Sequence, residues 1–65
     1  MFTMKQARLI SGKTQKELAN MLGICPDTYR ALEKHPERTT IKQAIDFCTA
    51  VKMSIDDIFF SKHST

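Results

Sequence analysis

The side chains that could do covalent or metal chemistry are few in this chain of 65 residues. The cysteines are Cys25 and Cys48, and the histidines are His35 and His63. They show neither C-x₂-C nor paired-histidine spacing, so we predict no metal site and no cofactor. We find no nucleophile–base pair, phosphate-binding glycine loop or pair of catalytic carboxylates, and we therefore do not expect an enzyme. Two cysteines are too few for a disulfide framework, which favours a reducing, cytoplasmic setting.

The cationic side chains are more informative because they are unevenly distributed. The chain carries a net charge of +3. Residues 1–34 contain six basic and three acidic side chains, whereas residues 35–65 contain four of each. All of the excess positive charge therefore lies in the first half, which indicates a polyanionic partner, most often a nucleic acid. An ordinary solvated surface would give the same count, so charge alone leaves both interpretations open.

Signals for helix starts recur along the chain. A Ser or Thr is followed three residues later by Gln, Glu or Asp, as in a capping box, where the two residues satisfy each other's backbone N–H groups. The four pairs are Thr3 and Gln6, Thr14 and Glu17, Thr40 and Gln43, and Ser54 and Asp57. Pro26 marks a fifth start, because its fixed φ suits the first helical position. Gly12 and Gly23 lie where preceding helices would end, and Pro36 ends the helix that begins at Pro26.

These signals predict an all-α fold of five short helices, at about 4–11, 15–22, 26–34, 41–52 and 55–60. A chain of this length makes at most one domain, so residues 1–65 are expected to form a single unit. The sequence has no apolar run close to the ~20 residues that span a membrane, and we expect no membrane partner.

Apolar residues at helical spacing predict the core. The expected members are Leu18, Ala19, Leu22, Ile24, Tyr29, Leu32, Ala44, Phe47, Cys48, Val51, Met53, Ile58 and Phe59. Phe59 and Phe60 would be adjacent on the fifth helix, so both cannot point fully inward. With Phe59 in the core, Phe60 is expected at the surface beside Ile55. There it would mark a homodimer interface or be an ordinary surface residue.

The segment from Thr14 to Glu33 predicts two short helices joined by a tight turn at Gly23. The small Ala19 lies where the two helices would cross closely, and Ile24 follows the glycine and would pack beneath the turn. This is the layout of a helix-turn-helix, spanning about residues 15–34. Its second helix has the size to enter the ~12 Å major groove of B-form DNA.

In this segment the sequence resembles the helix-turn-helix family of the phage repressors and Cro proteins. The matching residues are Thr14, Gln15, Glu17, Leu18, Ala19, Gly23, Leu32 and Glu33, with further support from Arg8 and from 54–59. The resemblance covers about residues 4–60. It implies the five-helix fold of the lambda repressor, a double-stranded DNA partner, transcriptional regulation and a bacterial or phage source.

The resemblance also implies residue roles. Gln15 matches a glutamine that binds a DNA phosphate and steadies the third helix. Arg8 and Glu33 match a partly buried ion pair between the first and third helices. The positions facing the major groove are Pro26, Asp27, Arg30 and Ala31, with Thr28 beside them. A second patch that contacts the DNA backbone comprises Arg38, Thr39 and Thr40. By charge, Lys16 and Lys34 are further candidates for phosphate contact. An ordinary solvated charge is the alternative for Lys16, Lys34 and Arg38.

The sequence departs from the family pattern on the predicted recognition helix. Pro26 stands where a polar base reader is common and offers only apolar contact. Ala31 can touch a thymine methyl group, and Asp27 can accept from a cytosine amine or complement the helix dipole. Polar readout is left to Asp27, Thr28 and Arg30. Two functions therefore stay open: a DNA-binding regulator, and a module on the same fold that docks on another regulatory protein and modulates it.

Overall fold

A computed structural model describes residues 1–60, and this part of the chain is mostly helical. It contains the four α-helices α1 (Met4–Ile10), α2 (Gln15–Leu22), α3 (Pro26–Lys34) and α4 (Ile41–Val51). Single 3-10 turns span Pro36–Arg38 and Ile55–Asp57. The short strands β1 (Phe2–Thr3) and β2 (Ile58–Phe59) complete the fold. None of the helices within residues 1–60 is long and apolar enough to cross a membrane.

The capping boxes predicted for the first, second and fourth helices are confirmed. The hydroxyls of Thr3, Thr14 and Thr40 each accept a hydrogen bond of 3.0–3.1 Å from the backbone three residues later. The side chains of Gln6, Glu17 and Gln43 each accept in return from the capping residue, at 2.8–2.9 Å. Each box satisfies backbone donors that a helix start leaves without intrahelical partners, which is why these helices begin where the sequence predicts.

The predicted fifth helix is wrong. Ser54 does cap a turn, accepting from the backbone N–H of Asp56 at 3.3 Å, but the turn is a single 3-10 turn that ends at Asp57. The chain then becomes extended, and β2 pairs in parallel with β1, so that Phe2 lies opposite Ile58 and Thr3 opposite Phe59. A β-branched residue followed by two aromatic residues suits a strand. The partner strand lies more than fifty positions away in the chain, so no local signal reveals it.

The core lies between the helices and beneath β2. The predicted core is largely confirmed, since Leu18, Ala19, Leu22, Tyr29, Leu32, Ala44, Phe47, Cys48, Val51 and Ile58 are buried, and Ile24 and Met53 pack against them half-buried. The buried residues Met4, Ala7 and Ala50 complete it. Burial, together with the negative charge of Asp57, raises the pKa of the Cys48 thiol.

The positions expected for Phe59 and Phe60 are also wrong. Phe60 packs against the core, with its ring edge-on to Phe47 at a centroid distance of 6.0 Å and an interplanar angle of 88°. Both phenylalanines are half-buried, but Phe59 is not among the residues that pack against the core. The reason is the extended backbone, in which residues two apart share a face, so that Phe60 follows the buried Ile58.

Candidate nucleic-acid interface

The turn between α2 and α3 presents the start of α3 to solvent. Gly23 ends α2 with a φ of 71°, and the backbone N–H of Ile24 donates to the carbonyl of Ala19 at 3.0 Å. Ala19 is fully buried, and α3 packs against α2. Residues 25–28, at the start of α3, are all exposed. The first turn of α3 is therefore free to contact a partner.

An ion pair joins α1 to α3. Nε of Arg8 donates to Oε2 of Glu33 at 2.7 Å, and the two side chains are only 10% and 7% exposed. A second guanidinium nitrogen of Arg8 donates to the other Glu33 oxygen at 3.4 Å, and a third donates to the carbonyl of Lys13 at 3.2 Å. The structure thus brings together the two residues that the resemblance pairs, and it attaches the α1–α2 turn to them.

Two further side chains converge on Glu33. Tyr29 donates its hydroxyl to Oε2 at 2.6 Å, and Gln15 donates its side-chain amide to Oε1 at 3.1 Å. Burial acts to raise the pKa of Glu33, but the hydrogen bonds from Arg8, Tyr29 and Gln15 outweigh it and lower that pKa. The hydrogen bond to Glu33 raises the pKa of Arg8, although burial opposes it. Burial, and then the bond to Glu33, raise the pKa of Tyr29. The ionised Glu33 therefore holds Gln15 in a defined position at the start of α2.

Above this cluster lies a groove with a volume of about 860 Å³. Its lining comes from α1, from the turn after it, from the start of α2 and from α3, and includes Lys5, Arg8, Lys13, Gln15, Arg30 and Lys34. We call this the cationic groove. The sequence did not single out Lys5 or Lys13 as contact residues. Lys5 and Arg8 are three positions apart on one helix, which is a signal that could have placed them on the same face.

Of the predicted base-reading residues, Pro26, Asp27 and Thr28 lie on the exposed first turn of α3, Arg30 is exposed in the middle of the helix, and Ala31 is half-buried. Arg30 and Asp27 form an ion pair, with Nη1 of Arg30 2.8 Å from Oδ1 of Asp27. Their side chains are 53% and 89% exposed. This pairing places the guanidinium beside the first turn of α3 and offsets the negative charge that Asp27 would otherwise present to phosphate. Their i, i+3 spacing is the signal from which the pair could have been predicted.

The remaining predicted phosphate contacts are not gathered at the cationic groove, apart from Lys34. Lys16 and Pro26 line a second cavity of about 490 Å³, which shares Thr14 with the cationic groove. Arg38 is exposed in the turn Pro36–Arg38. The hydroxyls of the two threonines already have partners, since Thr39 donates to the sulfur of Met4 at 3.7 Å and Thr40 caps α4. Arg38, Thr39 and Thr40 are consecutive residues that lead into α4, and Lys16 is not grouped with them.

Two further predictions concern a homodimer interface and metal binding. Ile55 is 48% exposed, while Phe60 is half-buried against the core, so a homodimer interface at these two residues stays a prediction. Among the described residues, no three His, Cys, Asp or Glu side chains are grouped so that they could hold a metal ion. Lys62 and His63 lie outside those residues.

Comparisons of the chain with models of known protein families, with curated proteins and with solved structures found no match. The function is therefore inferred from the chain's own residues.

Proposed function

We propose that this protein is a sequence-specific, double-stranded DNA-binding transcriptional regulator of the lambda-repressor-like class, in which α2 and α3 act as a helix-turn-helix. One observation carries the proposal. Arg30, which is ion-paired with Asp27 in the exposed first turn of α3, lines a groove together with four further cationic side chains, and Gln15, bonded to Glu33 at 3.1 Å, lines the same groove. A solvent-exposed helix start next to concentrated positive charge suits a partner that offers both a groove and phosphates.

The proposed contacts divide into two kinds, because phosphate contacts position a protein on DNA and base contacts select the sequence. The amide of Gln15 has a second hydrogen that is not needed for its bond to Glu33, and that hydrogen is available to a phosphate oxygen. Lys16, Lys34 and Arg38 supply charge, and Thr39 and Thr40 lie beside Arg38 at the start of α4. No cofactor and no catalytic step is required. The role places the protein in the cytoplasm, with the DNA of a bacterium or a phage.

Base reading is assigned to α3, whose diameter matches the width of the major groove. Arg30 is the main polar reader, since a guanidinium can donate two parallel bonds to O6 and N7 of guanine. Asp27 orients that guanidinium or accepts from a cytosine amine, and Thr28 is a further polar contact. Pro26 and Ala31 offer only apolar contact, which suits a thymine methyl group.

A second candidate function is a protein-interaction module that docks on another regulator. The observation in its favour is that Pro26 and Ala31 offer no side-chain donor, while α4 exposes Ile41 by 80% and Ile45 by 53%. Apolar residues at i and i+4 lie on one helix face. In this alternative the protein acts through contact with its partner and has little affinity for DNA.

Salt dependence of DNA binding separates the two candidates. The full chain is titrated onto a fluorescent duplex of random sequence at several salt concentrations between about 50 and 200 mM, and log K is plotted against log salt. Binding through phosphates predicts a slope of several units, because each neutralised phosphate contributes about 0.9. A docking module predicts weak binding and a slope near zero. That second result would overturn the proposal.

A further inference from the structure

We infer that one strand of the DNA duplex binds in the cationic groove, and that Lys5 and Lys13 are the main contacts of the groove with the phosphates of that strand. This inference rests on the proposed function and adds two residues and a path for the strand. Neither lysine was among the residues predicted from the sequence.

The charge balance of the chain singles out this groove. Its lining contains the cations Lys5, Arg8, Lys13, Arg30 and Lys34 and one carboxylate, Glu33, for a net of four positive charges. The whole chain carries +3. Within residues 1–60, the side chains outside the groove are four basic and six acidic and sum to two negative charges. The excess positive charge of this part of the chain is thus located in the groove, where concave walls concentrate its field on a ligand.

The groove has a neutral floor and a charged rim. Arg8 and Glu33 bridge the walls formed by α1 and α3, are nearly buried and compensate each other. Lys5 and Lys34 are exposed at the rim, and Lys13 is half-buried. Within residues 1–60 no carboxylate lies within ion-pair distance of the three, although the charge of Lys13 helps to lower the pKa of Glu17. An ammonium group is a compact charge on a flexible stem, which suits phosphate oxygens at several positions along a strand. Free charge is therefore available where a ligand would enter.

The groove is continuous with the residues assigned to DNA contact. Gln15 lies in its lining and is attached to its floor through Glu33. Arg30 lines the same groove and extends from the exposed half of α3. A strand seated between Lys5 and Lys34 would therefore pass the two residues proposed to contact phosphate and base. Lys16 is not in the lining of this groove; it lines the neighbouring cavity, which shares Thr14 with the groove.

The test compares two double variants that remove the same charge. Lys5→Gln with Lys13→Gln removes two cations from the groove. Lys42→Gln with Lys52→Asn removes two exposed cations from α4 and its end, and Asn suits the left-handed φ of 59° at position 52. Because all four side chains lie at or near the surface, both variants are expected to fold, which thermal melting checks. Binding to a random-sequence duplex is measured against salt. The groove variant is expected to bind about tenfold more weakly and to lose about two units of slope, whereas the control changes by less than about twofold.

The outcomes separate this inference from the proposed function. If the wild-type protein binds no duplex, both are overturned. If it binds with a steep slope that the groove variant keeps, only the groove assignment fails. Equal losses in both double variants would show an effect of net charge and would also overturn it. A parallel titration with inorganic triphosphate identifies the source of the phosphate: if the groove variant loses triphosphate binding but keeps its duplex slope, the groove belongs to a free phosphate compound and not to a strand.

Discussion

The hydroxyl of Tyr29 donates a 2.6 Å hydrogen bond to Oε2 of Glu33, the oxygen that also accepts from Nε of Arg8 at 2.7 Å. Tyr29 is fully buried, and its ring stacks near that of Phe47 at a centroid distance of 6.4 Å. Glu33 therefore connects the hydrophobic core to the floor of the cationic groove. A change at this carboxylate should affect both the stability of the fold and the position of Gln15.

Replacing Tyr29 by phenylalanine should remove one donor while leaving the ring in the core. A hydrogen bond to a charged group contributes about 1.5–3 kcal/mol, so Tyr29→Phe is expected to lower the free energy of unfolding by about 2 kcal/mol. Urea denaturation measures this. Thr28→Ala, on the exposed first turn of the same helix, is the control and should change little. Equal stability of Tyr29→Phe and the wild type would show that the bond is energetically unimportant.

Replacing Arg8 by methionine should lower the free energy of unfolding by more than Tyr29→Phe does, because it leaves the nearly buried Glu33 carboxylate without its cation. Breaking a buried ion pair in this way costs about 3 kcal/mol or more. Lys5→Met, one turn earlier on α1, removes an exposed charge and should stay within about 0.5 kcal/mol of the wild type. The double variant Arg8→Met with Glu33→Leu should regain part of the loss. If Arg8→Met lowers the free energy of unfolding no more than Lys5→Met does, the ion pair between Arg8 and Glu33 does not stabilise the contact of α1 with α3.

The lowered pKa of Glu33 predicts loss of stability in acid. The folded protein holds the pKa of Glu33 below its ordinary value of 4.5, so the unfolded chain takes up the proton first as the pH falls. The stabilisation from Glu33 is therefore complete above pH 4.5 and disappears as the pH falls through the folded pKa. Glu17 titrates in the same range, because a hydrogen bond from the backbone of Thr14 lowers its pKa as well. Denaturation curves of wild type and Glu33→Gln isolate the contribution of Glu33: the variant should be less stable at neutral pH, and the difference should shrink in acid. A difference independent of pH would contradict the assignment.

Gln15 and Arg38 are predicted to act on the DNA backbone without reading sequence. Gln15→Ala and Arg38→Ala should each weaken binding to all duplexes by a similar factor, because phosphates are the same at every base pair. Arg38→Ala should also reduce the salt slope by about 0.9, whereas the uncharged Gln15 should leave it unchanged. Binding to a panel of unrelated duplexes provides the measurement. A loss confined to duplexes that differ at one base position would instead make the residue a base reader.

The parts of the fold that sequence predicted are those specified by neighbouring residues. Thr14 and Glu17, three positions apart, determine where α2 starts, and Gly23 determines where it ends. The pairing of β1 with β2 depends on Phe2 and Ile58 meeting across the folded domain, and strands of two residues carry no alternating pattern. Because of that distant contact, Ile58 and Phe59 form a strand where a helix was predicted. For the same reason Phe60, and not Phe59, packs against the core.

The candidate site likewise contains some residues that the sequence indicates and others that only the folded structure brings together. The resemblance indicated Arg8, Gln15 and Glu33, whose contacts the structure describes in detail. The cationic groove could not be predicted, because Lys5 on α1 and Lys34 on α3 line one groove only when the helices pack. The Asp27–Arg30 pair is local, and its i, i+3 spacing on one helix is enough to predict it.

Selection of bound duplexes from a random-sequence pool tests the central claim most directly, namely that α3 reads DNA in the major groove. The account predicts that the wild-type protein enriches a short motif containing a guanine that Arg30 contacts, with half-sites about 34 Å apart if two copies bind together. The comparison is with Arg30→Ala. The Arg30 side chain is 53% exposed, so its removal should not affect folding. The variant should lose the preference at one base position, worth about 1–3 kcal/mol, and keep its affinity for other sequences. A wild-type protein that retains no duplexes, or that enriches the same motif with and without Arg30, would contradict the account.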